Sequence, residues 1–230
     1  MGEPLARNDT AMQFEPLGDQ AVLVTCAHEE SAQSLASAIS AATNEGLREV
    51  VVAYKCVALY YDLERTDYAS VCRLVQKLAL RPCSAPGRLF RIPCCYELGP
   101  DLAAIAEMCR CSVAEVIAEH SSTIYTVYAL GFVPGFPYLG YLPPRLAGIP
   151  RLPQPRRQVA PGSVGLAGRQ TGIYPAAVPG GWRILGRTPL IIADLATEFF
   201  PLRIGDRVEF VPIDRQEFDR LLGQRLSPSA

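Results

Sequence analysis

Residues 155–190 read PRRQVAPGSVGLAGRQTGIYPAAVPGGWRILGRTPL. Short β-branched or aromatic runs are broken here every few residues by Gly or Pro. Gln158–Ala160, Ser163–Ala167, Gly172–Tyr174, Trp182–Leu185 and Leu190–Ile192 each read as a short strand. Thr123–Leu130 upstream and Arg207–Val211 downstream extend the series. Many short strands separated by turn residues predict a small barrel. Ahead of these strands, Pro100–Cys109 and Ser112–His120 read as two short helices, the second opened by Ser112 and Glu115 at capping-box spacing.

Toward the N-terminus the pattern differs. Gln20–Cys26 is a strand, and His28–Thr43 carries Leu35, Ala36, Ile39 and Ala42 at helical spacing. Glu49–Ala53 and Val57–Tyr61 are strands around a short turn. Asp67–Leu80 is a second helix stopped by Pro82 and Pro86, and Leu89–Cys94 is a further strand. This β-α-β-β-α-β order is the ferredoxin-like split pattern. The expected class is α+β, with a ferredoxin-like domain at 12–86 and a β-barrel domain at 87–230.

The chain has 230 residues, 49% hydrophobic and 20% charged, with a net charge of −1 from 22 basic and 23 acidic residues. This composition excludes intrinsic disorder and disfavours nucleic-acid or membrane-surface binding. No apolar run spans a bilayer, and Met1–Phe14 shows no signal peptide, so the expectation is a cytoplasmic protein. Eight cysteines include no C-x-x-C pair, and only His28 and His120 could join them, so no metal site is expected.

Between His120 and Ala193 there is no Asp or Glu, yet there are seven arginines: Arg145, Arg151, Arg156, Arg157, Arg169, Arg183 and Arg187. Arginine forks suit carboxylate or phosphate, while acids elsewhere in the chain could instead neutralise this face. More than half of the glycines and prolines lie between Gly131 and Pro189, which describes rigid, shaped loops. Gly131–Gly140 (GFVPGFPYLG) offers Phe132, Phe136 and Tyr138 as a pocket wall or as packed loop core. Gly162 and Ser163 offer backbone N–H groups and a hydroxyl to an anion, and Gln170 and Tyr174 supply neutral polar groups. Trp182, the single tryptophan, reads as a core anchor. No phosphate loop, nucleophile elbow or zinc-protease motif occurs. His120 could serve as a general base or cap its helix.

Residues 120–146 (HSSTIYTVYALGFVPGFPYLGYLPPRL) and 150–190, with Leu17–Ala21 (LGDQA) and Gly99–Leu102 (GPDL), resemble the KipI / PxpB / allophanate hydrolase subunit 1 family. The resemblance runs from about Phe14 to Val211. Tyr54-Lys55-Cys56 departs from the family's usual Pro- and Ser-containing hairpin. The resemblance implies an α/β N-terminal domain and a cyclophilin-like β-barrel. It implies a carboxyltransferase-type pair with a PxpC-like (allophanate hydrolase subunit 2-like) subunit, working with a PxpA-like subunit. The implied reaction is ATP-dependent hydrolysis of 5-oxo-L-proline to L-glutamate, with ATP held by the complex. Inhibition of a sporulation histidine kinase, or an allophanate- or urea-processing role, are the alternatives the family offers. Among matching positions, Arg156 and Arg187 are expected to bind an anion, with Gly162, Ser163, Gly180 and Gly181 beside them. Gln170 and Tyr174 would orient substrate, and His120 would transfer a proton or cap its helix.

Overall fold

A computed structural model describes residues 12–42, 46–78 and 87–229. The chain divides into two compact units, within 1–85 and 86–230. Most of the expected boundary segment, Cys83–Arg88, lies outside the described residues, as do Thr43 and the last residues of the expected second helix. No helix among the described residues is long and apolar enough to cross a membrane.

The first unit contains β1 (Gln13–Pro16), β2 (Ala21–Thr25), α1 (Glu29–Ala41), β3 (Leu47–Ala53), β4 (Cys56–Tyr61) and α2 (Tyr68–Lys77). Its sheet is antiparallel in the order β1-β2-β4-β3. Val22, Val24, Val57 and Leu59 are buried, as are Leu35 and Ile39 of α1 and Val71 and Val75 of α2. Glu29 and Glu30 lie in the first turn of α1, where acids suit the helix dipole, and the Asp67 carboxylate caps α2 by accepting the Ser70 N–H at 2.7 Å. At the β3–β4 hairpin, Tyr54 has φ +55°, a left-handed position at the turn where the sequence departs from the family it resembles.

The strand expected to complete the split pattern, Leu89–Cys94 (β5), does not join this sheet. It pairs in parallel with β13 (Arg207–Pro212) in the second unit, and β1 occupies the edge beside β2. Phe90, Ile92 and Cys94 alternate inward and are fully buried there. Asp206 fixes the start of this pairing. Its carboxylate accepts Arg88 Nη2 at 2.6 Å and the Arg203 N–H at 2.8 Å.

The second unit continues with a 3-10 turn at Tyr96–Leu98, α3 (Leu102–Cys109), α4 (Val113–Ser121), β6 (Ile124–Leu130), β7 (Pro137–Gly140) and β8 (Arg156–Val159). It then adds β9 (Ser163–Ala167), β10 (Gln170–Ile173), β11 (Val178–Gly180), β12 (Arg183–Arg187), β13 and α5 (Arg215–Leu221). Seven strands form one sheet in the order β12-β9-β10-β7-β6-β13-β5, and β8 and β11 form a separate ribbon. All five residues of β9 are buried. The short strands follow the expected series with three differences. Pro137–Gly140 is a strand inside a stretch read as loop, Val178–Gly180 is a strand the series lacks, and Leu190–Ile192 contributes only a single bridge, Ile191 to Arg225.

The sheet curls into a nearly closed barrel because its two edges meet. Cys95, just past β5, and Arg187, at the end of β12, exchange backbone hydrogen bonds of 2.8 and 3.0 Å. Farther along the seam the Asp101 N–H donates to Ile184 O at 3.0 Å, and Asp101 Oδ2 accepts the Ile184 N–H at 2.7 Å. Two glycines permit this approach. A Cβ on Gly99 would fall 2.2 Å from Leu185 O, and one on Gly186 would fall 2.6 Å from Cys94 Sγ. Asp101 Oδ1 also accepts Arg156 Nη2 at 2.7 Å, so one buried carboxylate holds β12 and β8 together. Asp101→Ala should therefore destabilise the protein by about 2–3 kcal/mol, and Asp101→Asn by about 1, measured by urea denaturation.

His120, near the end of α4, is fully buried in the barrel core. Its ring lies 4.6 Å from that of Phe210 and 5.3 Å from that of Tyr125. Thr171 Oγ1 donates to Gly165 O at 3.0 Å, so its lone pairs face His120 Nε2 at 3.1 Å. Nε2 therefore carries the ring proton, and Nδ1 accepts from the Tyr96 hydroxyl at 2.7 Å. Burial without a counter-charge pushes the pKa of His120 down to about 3. The unfolded chain takes up a proton below about pH 6.5 that the folded chain refuses, so this contribution is flat above that pH and stability falls as pH drops toward 3. Between pH 7 and pH 5 the loss should be on the order of 2 kcal/mol, and His120→Gln should flatten that slope in urea titrations at the two pH values.

Candidate functional site: an aromatic pocket with an unpaired arginine

The loop from β6 to β7 puts Phe132 at its tip, 58% exposed with φ +66°, and turns Phe136 inward to 2% exposure. Phe136 is the hub of an aromatic cluster. Its ring lies edge-on to Tyr138 at 4.9 Å, Tyr174 at 5.1 Å, Phe132 at 5.5 Å and Trp182 at 5.5 Å. The strands fix these positions: Tyr138 sits in β7, Tyr174 directly follows β10, and Trp182 directly precedes β12. The β8–β11 ribbon brings Pro155, Pro179, Gly180 and Gly181 to the same place. Arg156 pairs with Gly180, and the Leu152 N–H reaches Gly181 O at 2.7 Å. Between these groups and Arg151 lies a cavity of about 250 Å³.

The charge around it is uneven. Arg145 pairs with Glu115 and Glu119 at 3.2 and 3.1 Å, and Arg156 pairs with Asp101. Arg183 and Arg187 donate to the carbonyls of Pro150 and Pro161, and Arg169 stacks on Tyr141 at 4.5 Å. Arg151 and Arg157 are exposed and make no hydrogen bond or ion pair among the described residues, and of the two only Arg151 lines the cavity. Burial raises the phenol pKa values of Tyr138 and Tyr174, and the nearby Arg151 charge partly opposes both shifts. Both hydroxyls remain protonated donors at neutral pH.

Of the expected site residues, Phe132, Phe136, Tyr138, Tyr174, Gly180 and Gly181 come together in this pocket. The others lie elsewhere. Arg156 stands behind the wall, donating to Asp101 and, at 3.4 Å, to Trp182 O. Arg187 is held by Pro161 O and packs 5.7 Å from the Phe218 ring. The Gly162 N–H is used by Tyr174 O and the Ser163 N–H by Ala160 O, so neither is open to an anion. Gln170 begins β10, opposite Gly140 and Ala167. His120 is in the core and offers no surface to a substrate.

Trp182, read as a core anchor, is 5% exposed and also lines the cavity. Arg151, Pro155 and Pro179 are pocket residues that the expected set lacked. For Arg151 the available signal was its place in the acid-free stretch. Among the described residues no group of three or more His, Cys, Asp or Glu side chains could hold a metal ion. The described cysteines are all free, and Cys83 lies outside the described residues. Burial pushes the Cys94 thiol well up, which makes it inert.

Residues 12–200 match the family described as "Carboxyltransferase domain, subdomain C and D". The chain is 36% identical to the B component of 5-oxoprolinase from Bacillus subtilis, covering 90% of this chain and 95% of that protein. It is 51% identical to the B component of 5-oxoprolinase from Escherichia coli O157:H7 over 54% of this chain and 58% of that one. The crystal structure of TTHA0988 shares 40% identity with a TM-score of 0.72. It matches 81% of this chain, and the match spans only 37% of TTHA0988. The structure of PH0987 from Pyrococcus horikoshii, a conserved uncharacterized protein, shares 41% identity over 90% of this chain and all of that one, with a TM-score of 0.55. Urea amidolyase of Kluyveromyces lactis, 17% identical with a TM-score of 0.74 over 95% of this chain and 16% of that one, shares the fold. The motifs, the barrel and the length of these matches agree: this chain belongs to the KipI / PxpB / allophanate hydrolase subunit 1 family of carboxyltransferase domains.

Proposed function

We propose that this chain is a subunit of an ATP-dependent 5-oxoprolinase, the B-type component that helps convert 5-oxo-L-proline to L-glutamate. The observation that carries this reading is the nearly end-to-end match to the B component of a bacterial 5-oxoprolinase, 36% identical over 95% of that protein's length. The chain works in a complex with a PxpC-like and a PxpA-like subunit in the cytoplasm. Its two domains are 12–86 and 87–230, the second a cyclophilin-like barrel.

The chemistry suits such a division of labour. Hydrolysis of an unactivated ring amide is slow, and coupling to ATP hydrolysis supplies the driving force. This chain has no phosphate loop, so ATP belongs to the assembled complex. What this chain offers is a pocket of about 250 Å³ with protonated tyrosine hydroxyls and one free guanidinium, suited to holding a small polar ring. His120 is neutral and enclosed, so proton transfer falls to groups outside this barrel core.

Reconstitution tests the assignment. ATP-dependent glutamate release from 5-oxo-L-proline is measured with this chain and its two partner subunits, omitting each in turn. Omission of this chain should abolish turnover. Full activity without it would overturn the assignment.

A further inference from the structure

We infer that the aromatic pocket is a monocarboxylate site in which Arg151 grips the carboxylate of a small ring whose faces rest against Tyr138, Tyr174 and Trp182. The 5-oxoprolinase reading supplies the identity of the ring; the site itself is argued from the geometry.

Among the described residues Arg151 is the only cation that lines the cavity. Arg156 is committed to Asp101, and Arg183 and Arg187 to backbone carbonyls. The stretch from Ser121 to Ile192 contains no acid that could neutralise it. A lone guanidinium beside a concave apolar wall is an arrangement that a bound carboxylate completes, because the planar fork donates to two oxygens at once. A lining with a single cation disfavours a polyphosphate. That would require further free cations or a nest of open N–H groups, and the N–H groups of Gly162 and Ser163 are already used by the fold.

Size and stiffness point the same way. The cavity suits a ligand of about ten non-hydrogen atoms, below the range typical for drug-sized molecules. Its rim carries Pro155 and Pro179, and the Asp101–Arg156 pair fixes the Trp182 carbonyl behind the wall. A wall held in this way loses little freedom on binding.

Trp182 is the only tryptophan, so its fluorescence reports on this pocket. The purified full chain is titrated with 5-oxo-L-proline, with cyclopentanecarboxylate, and with 2-pyrrolidinone, the lactam ring without its carboxylate. The carboxylates should change the emission saturably, and 2-pyrrolidinone should bind about tenfold more weakly or worse. Arg151→Gln should weaken the carboxylates about tenfold or more and leave 2-pyrrolidinone unchanged, with Arg151→Lys between. Because Arg151 is exposed and unpaired, the unfolding midpoint should not move. In the reconstituted complex Arg151→Gln should raise KM for 5-oxo-L-proline far more than it lowers kcat. No saturable binding of either carboxylate, or binding that ignores Arg151, overturns the site. Turnover by the complex with an unchanged KM in Arg151→Gln overturns the site and leaves the proposed function standing. Arg151-dependent binding of cyclopentanecarboxylate with no binding of 5-oxo-L-proline supports the site and counts against the proposed substrate.

Discussion

The barrel depends on one meeting of edges. An open seven-stranded sheet would leave β5 and β12 each with a row of unpaired backbone groups. The exchange between Cys95 and Arg187, extended by the Asp101–Ile184 pair, removes most of that liability. A side chain at position 99 would meet the Leu185 backbone and one at position 186 the Cys94 sulfur, so glycine suits both. Closure in turn encloses the core in which Phe90, Tyr125, Leu139, Leu166 and Phe210 are buried and in which His120 stays neutral.

The same seam shapes the pocket. Asp101 closes the barrel with one carboxylate oxygen and neutralises Arg156 with the other. This leaves the ribbon of β8 and β11 anchored and the aromatic cluster around Phe136 walled in. It also separates two kinds of arginine that look alike in the chain. One kind is absorbed by the fold through a carboxylate or carbonyl partner. The other, represented by Arg151 at the cavity, keeps its charge for a ligand. Carboxylate partners for this Arg-rich stretch come from Asp101 at the start of α3 and from Glu115 and Glu119 on α4, within the same unit.

Features that are local or periodic were legible in the chain. β-branched and aromatic runs between turn residues placed β2, β4, β6 and β9 to within a residue or two, helical spacing placed α1 and α2, and the segments read as two short helices are α3 and α4. The Ser112–Glu115 capping box is present as spaced, with the Ser112 N–H donating to Glu115 Oε2 at 2.8 Å. The long loop motifs identified the family. β7 escaped because four residues between prolines and glycines carry too little pattern. Which distant groups meet was settled only by folding. β5 reads as an ordinary alternating strand, and nothing local says that its partner is β13, more than a hundred residues onward. His120 looked available and is enclosed, because the four residues it touches most closely come from four separate segments. Which arginines are paired follows from the same cause. Pairing energies fall off within a few ångströms, so a charge is neutralised by whatever the fold brings beside it, and for Arg156 that is a carboxylate 55 residues away.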